Sequence, residues 1–188
     1  MDATPLALTF RAVTPERWPD LRRLFEARGG PSYCWCMLWR RGGGGSNDSK
    51  RDALGRIVEQ GTPVGLLAYE RGEAVAWCSV APRESYRALG GATDPEGVSV
   101  WSVACFFAKR PLRGRGISGR LLEAAVDLAR RHGADVVEGY PVDPDSPSYG
   151  FMGRCSTFLA AGFVETGRAG RRRHVMRLEL GPAPRAES

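Results

Sequence analysis

The sequence predicts a mixed α/β fold: a central, mostly antiparallel sheet flanked by helices. Short apolar runs of strand character alternate with segments of helical period along the 188 residues. Two of those runs, residues 65–70 and 73–81, are separated by Arg71-Gly72 alone, the spacing of a tight hairpin. A third, residues 98–108, leads through a glycine-rich turn into an amphipathic helix pattern.

Residues 6–13 alternate well enough for a first strand. Thr14-Pro15-Glu16 then reads as a helix start, with a hydroxyl cap, proline at the first helical position and an acid in the first turn. Trp18, Leu21 and Phe25 follow at helical spacing, and Gly29-Gly30-Pro31 ends the segment. Residues 33–41 are densely aromatic, and residues 42–50 have the glycine and serine content of a mobile loop. A short helix is expected over residues 52–60, broken by Gly61-Thr62-Pro63. After the hairpin, residues 82–97 read as a polar loop. Residues 98–108 alternate little, as in a strand covered on both faces. Residues 118–132 carry Leu121, Leu122, Ala125, Leu128 and Ala129 on one stripe, with Gly133 closing the helix. A strand over 135–142, a short helix over 155–161 and a hairpin turning near Ala169-Gly170 complete the order. The expectation is one domain over residues 1–180 and a flexible tail over 181–188.

Composition is ordinary for a folded protein, with 43% hydrophobic and 9% aromatic residues. No stretch approaches the roughly 20 apolar residues that span a bilayer, and the N-terminus lacks the pattern of a secretory signal. A cytoplasmic location and no membrane partner are therefore expected. The five cysteines are odd in number and sit in apolar contexts, so no disulfide framework is expected. The net charge is +6, and all but Lys50 and Lys109 of the 27 basic residues are arginine. Arginine forks phosphate well, but a basic balance alone does not separate nucleic acid from a phosphorylated cofactor, or either from codon bias.

The most informative segment runs from Phe106 to Leu122: an apolar strand, the turn Arg113-Gly114-Arg115-Gly116, then a helix. The first amides of a helix have no intrahelical partners, and the helix dipole adds positive potential, so anions bind there. Gly114 and Gly116 let backbone approach a pyrophosphate closely, and Arg113 and Arg115 can add charge-assisted bonds. The Gly-Lys-Ser/Thr of a P-loop is absent. A bare G-x-G-x-x-G string does occur, from Gly114 to Gly119, but its strand comes late in the chain, after three hairpin-like strands. A glycine turn that merely joins strand to helix is the plainer alternative.

On these residues, Arg113–Leu122 closely and the rest of the chain loosely, the sequence resembles the GNAT superfamily of N-acetyltransferases. Pro111 stands where that motif usually has Gln or Arg. The resemblance implies a GNAT-like fold and acetyl-CoA as co-substrate. Backbone of Phe106, Phe107 and Ala108 would pair with the pantetheine arm, and amides from Arg113 through Gly114, Arg115, Gly116 and Ile117 to Ser118 would hold the pyrophosphate. The thioester would point between the strand at 98–108 and the strand at 135–142, where the two are expected to splay.

Acetyl transfer needs a neutral amine, donors for an oxyanion and a proton for the leaving thiolate. The place where the family often carries a proton-donating tyrosine falls on Phe158, which cannot donate. Tyr149, Cys155 and Ser156 are the alternatives nearby, with Glu138 and then Asp143 as candidate bases. A solvated or arginine-paired Glu138, and a water chain in place of a side-chain base, stay open. Tyr33, Trp35, Met37 and Trp39 fall where the family builds its acceptor pocket, and aromatic walls there could hold an amine. Core packing explains the same residues equally well. Cys34-x-Cys36 lacks a second ligand pair, so no metal is expected. The arginine run at 168–173 falls on a hairpin turn, and nucleic acid is not expected as a partner.

The function implied is transfer of an acetyl group from acetyl-CoA to a small-molecule amine. Acetylation of a protein N-terminus or lysine, and a non-catalytic acyl-CoA sensor, are the competing readings. A homodimer stays open.

Overall fold

The computed structural model describes residues 6–181. The strands are β1 (Leu8–Ala12), β2 (Leu66–Glu70), β3 (Glu73–Pro82), β4 (Val100–Ala108), β5 (Val136–Gly139), β6 (Val164–Ala169) and β7 (Arg173–Glu179); the helices are α1 (Trp18–Glu26), α2 (Asn47–Glu59), α3 (Ile117–Arg131) and α4 (Cys155–Ala160). They form one seven-stranded sheet in the order β1-β2-β3-β4-β5-β7-β6. Every neighbouring pair is antiparallel except β4 and β5. The mixed, mostly antiparallel sheet with flanking helices is the architecture expected from the sequence. From residue 182 on, the tail expected at 181–188 lies outside the described residues.

Helices cover both faces of the sheet. On one, α3 and α4 bury Leu121, Leu122, Ala125 and Phe158 against Val103, Val137 and Met176. On the other, α1 and α2 bury Leu21, Phe25 and Leu54 against Leu67 and Trp77. Trp35 belongs to this second core, 5.4 Å from the ring of Phe25. Burial of this apolar surface, mainly aliphatic on the α3 face and richer in aromatic rings on the α1 face, supplies most of the driving force for assembly.

Several local expectations shift. Helix α2 starts at Asn47, inside the expected loop, because Ser46 accepts the backbone N–H of Ser49 at 3.1 Å and caps it. Thr14 makes no such cap; a single 3₁₀ turn over Pro15–Arg17 precedes α1. The segment expected as a polar loop at 82–97 begins with a 3₁₀ turn and buries Tyr86 and Leu89 in a third, smaller cluster with Tyr140 and Met152. Strand β5 ends at Gly139, three residues short of the expected end, and the chain then leaves the sheet through Tyr140-Pro141.

Phe158 is fully buried and packs edge-on against Phe106 and Phe163. A Cβ at Gly139 would lie 2.1 Å from its ring, and one at Gly153 3.0 Å, so both glycines exist at these places to admit the phenyl group. Phe158→Ala should cost about 3–5 kcal/mol of unfolding free energy. Chemical denaturation tests this, and an unchanged midpoint would contradict the packing role.

Candidate active site

Strand β4 builds the site through two irregularities. Ser79 pairs with Cys105 and Val80 with Val103, so Ala104 is the extra residue of a β-bulge. The bulge resets the alternation of the strand. Trp101 and Val103 face the α3 side before it, and Phe106 and Ala108 face that side after it. The second irregularity is on the other edge. Strand β5 pairs with β4 from Val100 to Val103 and no further. Beyond that point β4 runs on for five residues, paired with β3 alone, and its β5-side edge is open among the described residues. This is the splay expected from the sequence, and Phe158 with its two glycines sits beside it.

The open edge leads into the glycine turn. Gly114 and Gly116 both adopt left-handed backbone, at φ 76° and 72°, and a Cβ on either would meet nothing within 4 Å. Gly116 is the N-cap of α3, so the first-turn amides behind it, from Ile117 to Gly119, have no intrahelical acceptor. Residues 110–112 form a 3₁₀ turn that accommodates Pro111, and Arg113 donates from Nε to the Ala108 carbonyl at 3.1 Å. A doubly phosphorylated linker fits this cradle: amides at a helix start, space where side chains would otherwise stand, and adjacent arginines.

A cavity of about 470 Å³ connects these features. Of the expected cofactor residues, Phe106, Phe107, Ala108, Arg113 and Ser118 line it. Gly114, Arg115 and Gly116 are exposed outside its wall, and the side chain of Ile117 is buried in the core. Of the expected acceptor residues, Tyr33 and Trp39 line the cavity and Trp35 does not, being fixed in the α1 core. One aromatic surface is already engaged: the Arg173 guanidinium lies 4.5 Å from the Trp39 ring centre and 5.5 Å from that of Tyr149.

None of the three expected catalytic side chains lines the cavity. Glu138 is fully buried and accepts from Arg177 Nη1 at 2.9 Å and from the Tyr140 hydroxyl. Arg177 is bound in turn to Asp94, which also pairs with Arg83 at 2.7 Å. The bond from Arg177, with help from Arg83, holds the Asp94 carboxyl below its usual range. Burial, reinforced by the Glu138 charge, pushes the Tyr140 phenol far up. This is the arginine-paired state of Glu138 that the sequence left open, and it ties β5 to β7. The Tyr149 ring lies tilted against Trp39 and edge-on to Phe151, while Ser156 is exposed on α4 and its neighbour Thr157 faces the cavity instead. Asp143, the second candidate base, pairs with His174 at 3.0 Å, and Cys155 does not reach the cavity. Asp143, Cys155 and His174 bring three ligand-type atoms within 4.8 Å of one another, away from the cavity.

Several wall residues carry no signature of their role in the sequence. Ser79 faces the cavity and shares a hydrogen bond of 2.9 Å with the Tyr86 hydroxyl. Burial raises the Tyr86 phenol to about 12. Behind Ser79 lies Arg40, 1% exposed, donating to the Val64 carbonyl, Ser79 and Tyr86. Cys34, Cys36 and Cys105 also line the wall, with the Cys36 and Cys105 sulfurs 3.5 Å apart. The contact with Cys105, together with burial, pushes the Cys36 thiol well up, so it stays protonated at neutral pH. Trp35 and Cys36 both hold left-handed backbone, φ 47° and 50°, a strained conformation for non-glycine residues.

The acetyltransferase (GNAT) family model matches residues 17–156, most of the chain including the β4–turn–α3 segment. The chain belongs to this family. It is accordingly an acetyl-CoA-dependent N-acetyltransferase by class, with acetyl-CoA as co-substrate. A search of curated proteins finds no match. Solved structures do match, among them the aminoglycoside N-acetyltransferase AAC(6')-Iy in complex with CoA, at 16% identity and TM-score 0.57, covering 90% of this chain and 95% of that one. A polyamine N-acetyltransferase of Drosophila melanogaster aligns at 17% identity and TM-score 0.57, covering 92% and 100%. The ribosomal-protein-alanine N-acetyltransferase of Brucella melitensis aligns at 20% identity and TM-score 0.55, covering 92% and 99%. At these identities the likeness speaks for the fold. Among the described residues no helix is long and apolar enough to cross a membrane.

Two outcomes test the site. Gly116→Leu should weaken acetyl-CoA binding about tenfold or more by calorimetry while costing of order 1–3 kcal/mol of stability for the left-handed backbone. Unchanged affinity would remove the pyrophosphate from this turn. Arg177→Met should destabilise the protein by about 3–5 kcal/mol, because it leaves the buried Glu138 with only the Tyr140 hydroxyl and a 3.6 Å contact from Arg83; a loss of turnover with intact stability would instead return Glu138 to the chemistry.

Proposed function

We propose that this protein transfers the acetyl group of acetyl-CoA to the amine of a small molecule held between the β4 edge and the loop carrying Tyr33 and Trp39. One observation carries the reading: a single cavity, of a size suited to a small ligand, joins the open β4 edge to that aromatic loop. Backbone of Phe106–Ala108 would align the pantetheine arm as an added strand, and Arg113 with the α3 amides would hold the pyrophosphate. The amine nitrogen bonds to the thioester carbon and the C–S bond breaks. The proton lost by the nitrogen balances the one gained by the sulfur, giving an amide and free CoA thiol.

No aspartate or glutamate lines the cavity among the described residues. Proton movement therefore falls to water and to the wall hydroxyls, of which Ser79 has a hydrogen-bond network behind it. This differs from a mechanism run by Glu138, Tyr149 or Ser156.

Purified protein supplied with acetyl-CoA and a panel of primary amines should release thiol and give a product heavier by one acetyl group. Binding of acetyl-CoA without turnover on any amine would favour the sensor reading, and turnover confined to peptides would favour a protein acceptor.

A further inference from the structure

The charge of the cavity wall narrows the acceptor. Among the described residues its charged side chains are Arg113 and Arg154, with no carboxylate. Arg113 is bound to the end of β4, on the side of the glycine turn. Arg154, exposed at the N-cap of α4, lines the cavity, and its Nη1 reaches the Asp143 backbone carbonyl at 3.4 Å. It forms no ion pair with any described carboxylate. Arg40 adds a third positive group one hydrogen bond behind Ser79. That guanidinium has no carboxylate partner, and its Nε and Nη1 meet no hydrogen-bond acceptor among the described residues.

A buried cation without a counter-charge is costly, and it projects positive potential into adjoining low-dielectric space. A polycationic acceptor entering here would meet charge of its own sign. The aromatic faces do not offset this, since Arg173 already covers Trp39 and Tyr149. An acceptor bearing a carboxylate beside its amine would meet the opposite: a guanidinium fork geometrically matched to it.

We infer that the acceptor is a carboxylate-bearing primary amine of the amino-acid type, with Arg154 binding its carboxylate and Arg40 supplying the field behind it. The inference rests on the acetyl-transfer reading above. The same positive field disfavours the ammonium form of the acceptor, which supplies neutral nucleophile where the wall has no base.

The test uses the full-length protein at saturating acetyl-CoA, with the twenty common amino acids, their amides and methyl esters, a polyamine and an aminoglycoside. At least one amino acid should be acetylated with kcat/KM about tenfold or more above its amide and ester. Arg154→Gln should raise its KM about tenfold with kcat held within about threefold, and leave the KM of the amide unchanged; Arg154→Lys should restore part of the loss. Preference for the amide, the ester or the polycations would overturn the inference, as would an Arg154→Gln enzyme with unaltered KM. So would failure of all twenty amino acids both to react and to bind the CoA-loaded protein in calorimetry. Acetyl-CoA binding, measured separately, keeps the two readings apart: its loss would sink the acetyl-transfer assignment itself, whereas its presence confines a failure to the acceptor.

Discussion

The structure depends on β4 losing its partner midway. Paired on both edges, its backbone would have no hydrogen-bonding capacity left for anything else. Paired on one edge past Val103, it presents an open strand edge to a cavity, and the bulge places the successive residues Ala104 and Cys105 on the same wall. Everything else in the site is arranged around that opening. The glycine turn continues from its end, the aromatic loop covers one side, and the segment at 150–157 covers the other. Phe158 lodges against Gly139 and Gly153 and fills the volume where β5 leaves the sheet.

The segment from β4 to α3 could be read from the sequence because its logic is local. A strand, two glycines and a helix start within a few residues of one another carry their own chemistry, whatever the rest of the chain does. The helical stripe of α3 was equally plain, since seven of its residues are buried along one face. The start of α2 was hidden by four consecutive glycines that mimic a loop, while the deciding feature was the single hydroxyl of Ser46.

What stayed hidden was set by register and by partners distant in sequence. The bulge exists because β3 and β4 pair with one residue in excess, and no residue type announces that. Glu138 looked like a base because it lies on the strand beside the splay, yet its side chain meets Arg177, 39 positions away, on β7. Tyr149 and Ser156 stood near the right part of the chain, but the turn at 150–152 and the pitch of α4 aim Phe151 and Thr157 at the cavity instead. Arg40 closed an aromatic run that read as a wall, and only its folding behind Ser79 and Tyr86 gives it an electrostatic part.

The strand order has a consequence for how this molecule comes into being. Strand β7, nearest the C-terminal end of the chain, occupies an interior position between β5 and β6 rather than an edge. A ribosome-bound chain missing that strand leaves β5 with a bare flank and Glu138 without Arg177. Completion of the sheet therefore waits for β7 to emerge, and removal of β7 would leave the buried Glu138 carboxylate without Arg177, its short ion-pair partner.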